Sequence, residues 1–220
     1  MKKLLNISDL SKNDILTIFS YSDELRNDYE KRPLNNKSIG LIFEKYSTRT
    51  RLSFKVGIHQ LGGTPIDINL TDLNLQRSES FEDTFKVLSL YLDGIVFRTD
   101  NHEKLITAFK YFQKPLINGL SDLSHPCQII TDIFTFKNYF NNFENLTLSW
   151  FGDMNNVLFS YFEFIQLFPS INLNLFTNKE IYQKNIKNFP KIDNLNFYDE
   201  IDESAIKLSD CIITDVYTSM

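Results

Sequence analysis

Between residues 38 and 214 short apolar runs alternate with amphipathic ones, and this alternation restricts the fold more than any other feature. Strand-like runs fall at 38–43, 64–69, 94–97, 115–118, 146–151, 172–176 and 210–214. Helix-like runs separate them at 51–61, 80–92, 101–112, 126–140, 156–168, 179–188 and 202–208. Strands interleaved with helices are joined by right-handed crossovers and make parallel sheets, so the expected class is α/β. Ser11 and Asp14 form a capping pair ahead of Ile15, Ile18, Phe19, Leu25 and Tyr29, which share one helical face. Gly62-Gly63 reads as a helix stop, and Ser80 with Asp83 as a helix start. The polar, turn-rich stretch from Asn138 to Asn145 marks the expected domain boundary.

Composition narrows the function classes. With 220 residues, 42% of them hydrophobic and 23% charged, the chain suffices for one large core or two smaller ones. Twenty phenylalanines against one tryptophan indicate Phe-rich cores. The net charge of −5 excludes a broad nucleic-acid footprint, so any anion site must be local. No apolar run is long enough to span a membrane, and Asn6, Ser8 and Asp9 interrupt the N-terminal stretch too early for a signal peptide. Two cysteines, Cys127 and Cys211, give no disulfide framework and point to a reducing, cytoplasmic setting. Three scattered histidines without a Cys/His cluster argue against a metal site, and no cofactor is expected.

Ligands of open parallel sheets sit beyond the carboxyl ends of the strands, so the strand exits are where a site is expected. The run 38–43 is followed by Ser47-Thr48-Arg49-Thr50-Arg51, ahead of a helix-like run. A strand feeding a helix start brings unpaired N–H groups and the positive dipole end to one point. Hydroxyls and guanidinium groups there suit a phosphate dianion. The same residues also fit a capped helix start with solvated arginines. Arg98 follows the run 94–97 and also suits an ordinary strand end. His125-Pro126-Cys127-Gln128 follows 115–118; His125 fits a neutral donor to a polarised carbonyl or, equally, the residue before a helix-starting proline. Cys127 invites a thiol-nucleophile reading, but nothing marks an orienting group or an oxyanion loop. Gly152-Asp153-Met154-Asn155-Asn156 follows 146–151 without the G-x-G-x-x-G spacing, and its two asparagines suit a carboxylate or amino group. Asp215, Ser219 and Met220 follow 210–214. His59 and His102 fall inside helical runs and read as structural or exposed.

Taken together these segments resemble the aspartate/ornithine carbamoyltransferase family. The markers are Phe43-Glu44-Lys45 leading into Ser-Thr-Arg-Thr-Arg, the His125–Gln128 quartet, Gly152–Asn156, and Thr214-Asp215-Val216-Tyr217-Thr218-Ser219-Met220. The last two belong to the ornithine branch. The resemblance implies two Rossmann-like domains with parallel sheets flanked by helices, the second incomplete. It places a carbamoyl-phosphate-binding domain at 1–138 and an ornithine-binding domain at 139–220. It further implies that Ser47, Thr48, Arg49 and Thr50 hold the phosphate of carbamoyl phosphate. Arg98 and His125, with Thr50, would contact its carbonyl oxygen, and Gln128 its amide end, with Pro126 and Cys127 completing that quartet. Asn156, Asp215, Ser219 and Met220 would bind the α-carboxylate and α-amino end of L-ornithine. The implied reaction, in arginine metabolism, gives citrulline and phosphate, with Arg49, Arg98 and His125 as the catalytic groups.

In the family the loop containing Asn74 reaches a neighbouring subunit's site within a homotrimer, usually with Gln at that position and Gly where Gln76 and Ser78 stand here. The sequence also stops at Met220, inside the ornithine motif, where family members continue with a His-Cys-Leu-Pro segment and a terminal helix. The resemblance therefore implies a truncated chain. Two other readings stay open at this point: transfer to another amine such as putrescine or an acylated ornithine, and a non-catalytic remnant that binds carbamoyl phosphate.

Overall fold

A computed structural model describes residues 3–28, 30–45, 47–69 and 80–215. The chain forms two compact units, Met1–Cys127 and Gln128–Met220. In the first unit the elements are β1 (Lys3–Leu4), α1 (Lys12–Asn27), β2 (Ser38–Phe43), α2 (Thr48–Gln60), β3 (Thr64–Ile68), α3 (Phe81–Tyr91), β4 (Gly94–Arg98), α4 (His102–Tyr111) and β5 (Leu116–Leu120). Helix α5 (Pro126–Phe140) begins there and continues into the second unit, which holds β6 (Thr147–Phe151), α6 (Asn156–Leu167), β7 (Asn172–Phe176), α7 (Lys179–Asn185), β8 (Leu195–Tyr198), α8 (Glu203–Lys207) and β9 (Cys211–Thr214). After α5, Asn141 and Asn145 take left-handed backbone angles that turn the chain toward β6.

Each unit is an all-parallel sheet flanked by helices, as expected. The first sheet has the order β1-β5-β4-β2-β3 and the second β8-β7-β6-β9. From β2 the chain steps outward to β3, then returns across β2 to β4 and β5, so the strand order reverses between β2 and β4. In the second unit it steps from β6 to β7 and β8 and returns to β9, reversing between β6 and β9. Crossovers at such a reversal leave opposite faces of the sheet and open a crevice at the strand ends. The register sets that edge: Phe43 pairs with Arg98 and Arg98 with Leu120, so β2, β4 and β5 finish level. Phe151 likewise pairs with Thr214 and Phe176.

The phenylalanines lie where such sheets need bulk. Phe85 and Phe97 meet at 5.7 Å between ring centroids in the first unit, and Phe164 stacks on Phe168 at 4.7 Å in the second; all four are fully buried. Apolar burial of this kind contributes about 2–3 kcal/mol per ring.

Two strands have no strand-like run of their own in the sequence. Strand β1 pairs only Lys3 and Leu4 with β5, too short to show a period. Strand β8 is an edge strand, partly exposed, with Asn196 in its middle donating to Asn174 Oδ1 at 3.0 Å; a polar edge lacks the apolar run of a central strand. Helix α2 begins at Thr48, three residues before the expected start, and α7 tightens into a 3-10 turn at Ile186–Asn188. Gly62, at φ +88, ends α2 as expected; a Cβ there would lie 2.8 Å from Arg32 Cβ.

Candidate active site

In the first unit the strand-order reversal coincides with the hydroxyl–arginine cluster. Ser47 is the N-cap of α2, with extended backbone, yet its side chain caps nothing and the first turn holds no acidic residue. Thr48 and Arg49 are exposed there, while Ser47 and Thr50 are half-buried. Arg98 closes β4, and one terminal nitrogen donates to Thr50 Oγ1 at 3.2 Å. Its Nε is buried without a hydrogen-bond partner among the described residues, and burial pulls its pKa down from the usual guanidinium range. Arg51 faces the scaffold instead: its guanidinium lies over the Phe43 ring at 5.3 Å and its Nε is 4.0 Å from Asp67.

Glu44, one of the family markers, ties the two strand exits together. Its N–H donates to Arg98 O at 3.0 Å, and its carboxylate takes Lys104 Nζ at 2.8 Å and the Thr99 hydroxyl. The turn after β5 is held as firmly. Leu120 sits at φ +145, a strained angle for leucine. Buried Asn118 accepts from Leu120 N at 2.9 Å and donates to Leu5 O and Ser124 O at 2.8 and 3.2 Å. His102 is buried, as its structural reading required, with Nδ1 2.8 Å from Ser121 Oγ and its pKa lowered by burial. This turn delivers His125, half-buried, to the start of α5. The Cys127 thiol donates to Asn118 O at 3.4 Å and burial pushes it up to about 12, so it stays protonated and supplies no thiolate.

In the second unit Asn155 and Asp215 meet at the β6/β9 reversal. Asn155 Oδ1 caps α6 by accepting from Val157 N and Leu158 N at 3.0 and 3.2 Å, and its Nδ2 donates to Asp215 Oδ2 at 2.8 Å. Both ends of that amide are thereby committed within the fold. Asn155 thus caps α6 and holds Asp215 in place. Asn156 follows as the first residue of α6, half-buried. Gln128, on α5, donates from Nε2 to Asp132 Oδ1 at 2.8 Å. Asn74, Ser219 and Met220 lie outside the described residues. Among the described residues no group of three His, Cys, Asp or Glu side chains is placed to hold a metal ion.

Residues 2–138 match the family model of the aspartate/ornithine carbamoyltransferase carbamoyl-P binding domain. The ornithine carbamoyltransferase of Methanosphaera stadtmanae is 39% identical over 226 aligned positions, covering 100% of this chain and 74% of that protein. That of Mesorhizobium japonicum is 40% identical over 86% of this chain and 63% of its own length. Among solved structures, ornithine carbamoyltransferase from Pyrococcus furiosus superposes with a TM-score of 0.89 at 32% identity, over 99% of this chain and 72% of that one. The Burkholderia thailandensis enzyme gives 0.88 at 31% identity, over 99% and 76%. The chain thus spans between about three fifths and three quarters of the proteins it resembles. On the domain match and on relatives that align along its whole length, the chain belongs to the aspartate/ornithine carbamoyltransferase family.

Proposed function

We propose that this protein transfers the carbamoyl group of carbamoyl phosphate to the δ-amine of L-ornithine, giving L-citrulline and phosphate. The observation that carries the reading is the first turn of α2, which has neither a side-chain cap nor a carboxylate and stands within hydrogen-bond reach of Arg98 through Thr50. Such a turn suits a dianion. Ser47, Thr48, Arg49 and Thr50 take the phosphate, and Arg98 and His125, with Thr50, take the carbonyl oxygen. Gln128 takes the amide end, while Asn156 and Asp215, with Ser219 and Met220, take the α-carboxylate and α-amine of ornithine. On the same reading residues 1–138 bind carbamoyl phosphate, residues 139–220 bind ornithine, and the enzyme works in the cytoplasm as a homotrimer in which Asn74 serves a neighbouring subunit. No helix among the described residues is long and apolar enough to cross a membrane.

The residue types fit the chemistry. The δ-amine enters as the free base and its lone pair forms the new C–N bond to the carbamoyl carbon. The C–O bond to phosphate breaks, phosphate leaves with that electron pair, and the surplus amine proton passes to phosphate or water. No side chain has to become covalently modified. The protein orients two reactants, worth up to about 7–11 kcal/mol, and stabilises charge growing on the carbonyl and phosphate oxygens, worth about 3–4 kcal/mol per donor. Incubating the purified chain with both substrates and measuring citrulline tests the reading. Citrulline formation supports it; a folded chain that binds neither carbamoyl phosphate nor ornithine overturns it.

A further inference from the structure

We infer that Asp132 is a positioning residue that fixes which end of the Gln128 amide faces the ligand, letting the site distinguish an amino group from a methyl group on an acyl phosphate. The inference rests on the reading of Gln128 as partner to the carbamoyl amide and adds to it the origin of its polarity. Gln128 and Asp132 stand four residues apart on α5, hence on one face. Gln128 Nε2 donates to Asp132 Oδ1 at 2.8 Å. An ionised carboxylate accepts and never donates, so it holds the NH2 end of Gln128 and leaves Oε1, the acceptor, on the other side. The carboxylate is itself anchored: Asp132 Oδ2 accepts from Tyr161 Oη at 2.8 Å, and Tyr161 is 0% exposed, packed on Trp150. Burial raises the pKa of Asp132, and the two donated bonds draw it back toward the ionised form.

The polarity matters because carbamoyl phosphate presents N–H donors where acetyl phosphate, of the same shape, presents a methyl group. An outward Oε1 bonds the first and gains nothing from the second. A reversed amide would set donor against donor. Asp132 thus supplies discrimination without touching the substrate.

Calorimetry on the full chain with inorganic phosphate, acetyl phosphate and carbamoyl phosphate tests this. Asp132→Asn keeps the shape and can still accept from Tyr161, but it turns an NH2 toward Gln128 and favours the reversed amide. It should weaken carbamoyl phosphate by about three- to ten-fold while leaving the other two probes within about two-fold. Gln128→Ala should abolish the preference for carbamoyl over acetyl phosphate, and adding Asp132→Asn to it should change nothing more. A preference unchanged in Asp132→Asn, or an equal loss for all three probes at an unaltered melting temperature, overturns the inference. Asp132→Ala, which frees the amide to rotate, provides a second variant and should give a smaller loss of the same kind. A wild-type chain that binds phosphate but shows no preference overturns this inference alone; one that binds none of the probes overturns the proposed function with it.

Discussion

Helices α1, α2 and α3 all start on a serine, and their first turns are completed differently. In α1 Ser11 accepts from Asp14 N at 3.1 Å while Asp14 accepts from Ser11 N at 2.9 Å, a closed capping box. In α3 Ser80 accepts from Asp83 N at 3.0 Å, with Glu82 and Asp83 in the first turn. In α2 the third position, an aspartate in α1 and α3, is Thr50, Ser47 caps nothing, and Arg49 stands where α3 carries Glu82. Helices α4, α7 and α8 each have a glutamate in the first turn; α6 has no acid there, but its first turn is filled by the Asn155 side chain. A missing N-cap costs about 1 kcal/mol, so a turn left open amid filled ones gives up stability where an external anion can repay it.

The largest break in this contrast comes from removing its cations. Arg49→Ala and Arg98→Ala should each lower kcat/KM for citrulline formation about 10²–10³-fold, with phosphate affinity falling in calorimetry. Loss of activity without loss of phosphate affinity in Arg49→Ala would detach the cradle from the chemistry. Next in size is converting α2 into the likeness of α1. Thr50→Asp places a carboxylate at the third position, beside Arg98, and should raise stability by about 1 kcal/mol in urea titration while eliminating measurable phosphate binding. A variant that is stabilised and still binds phosphate would show that the anion sits elsewhere.

A smaller contrast separates the serines. Ser11→Ala should cost about 1 kcal/mol of stability with ligand affinities intact. Ser47→Ala, which loses no cap, should leave stability unchanged and weaken phosphate by about three- to ten-fold. Equal destabilisation by the two substitutions would mean that Ser47 is an ordinary cap.

Much of this was legible in the sequence because the central strands are continuous apolar runs. Strand β2 spans the predicted residues 38–43, and the hydroxyl–arginine cluster, His125 and Asp215 stand beyond strand ends as the change of period indicates, with Arg98 the last residue of its own strand. What escaped is pairing at a distance. Thr50 meets Arg98 across 48 residues and Asn155 meets Asp215 across 60, and no local period encodes either. Glu44 joins two strand exits by bonds to residues that sequence does not connect. Strand β1 escaped because two residues show no period, and β8 because Asn196 interrupts its apolar run.

The smallest effect is electrostatic and has a definite sign. Asp14 is held below the usual carboxylate range first by the Ser11 hydroxyl and then by the Ser11 N–H. Asp83 is lowered first by Lys86 and then by Ser80. In both cases the unfolded chain takes up protons at higher pH than the folded chain does. Their stabilisation is therefore present above the ordinary carboxylate pKa, about 4, and is lost as pH falls through the lower, folded values. Comparing the melting temperatures of wild type and Asp14→Asn/Asp83→Asn from pH 6 to 2.5 should show a constant gap that closes only below about pH 4. A gap that persists to pH 2.5 would mean that shape rather than charge fills those turns. Helix α2 carries no first-turn carboxylate, so it adds nothing to this acid dependence in the wild type. The Thr50→Asp variant should acquire it, and with it the acid lability that marks a helix start filled by its own chain.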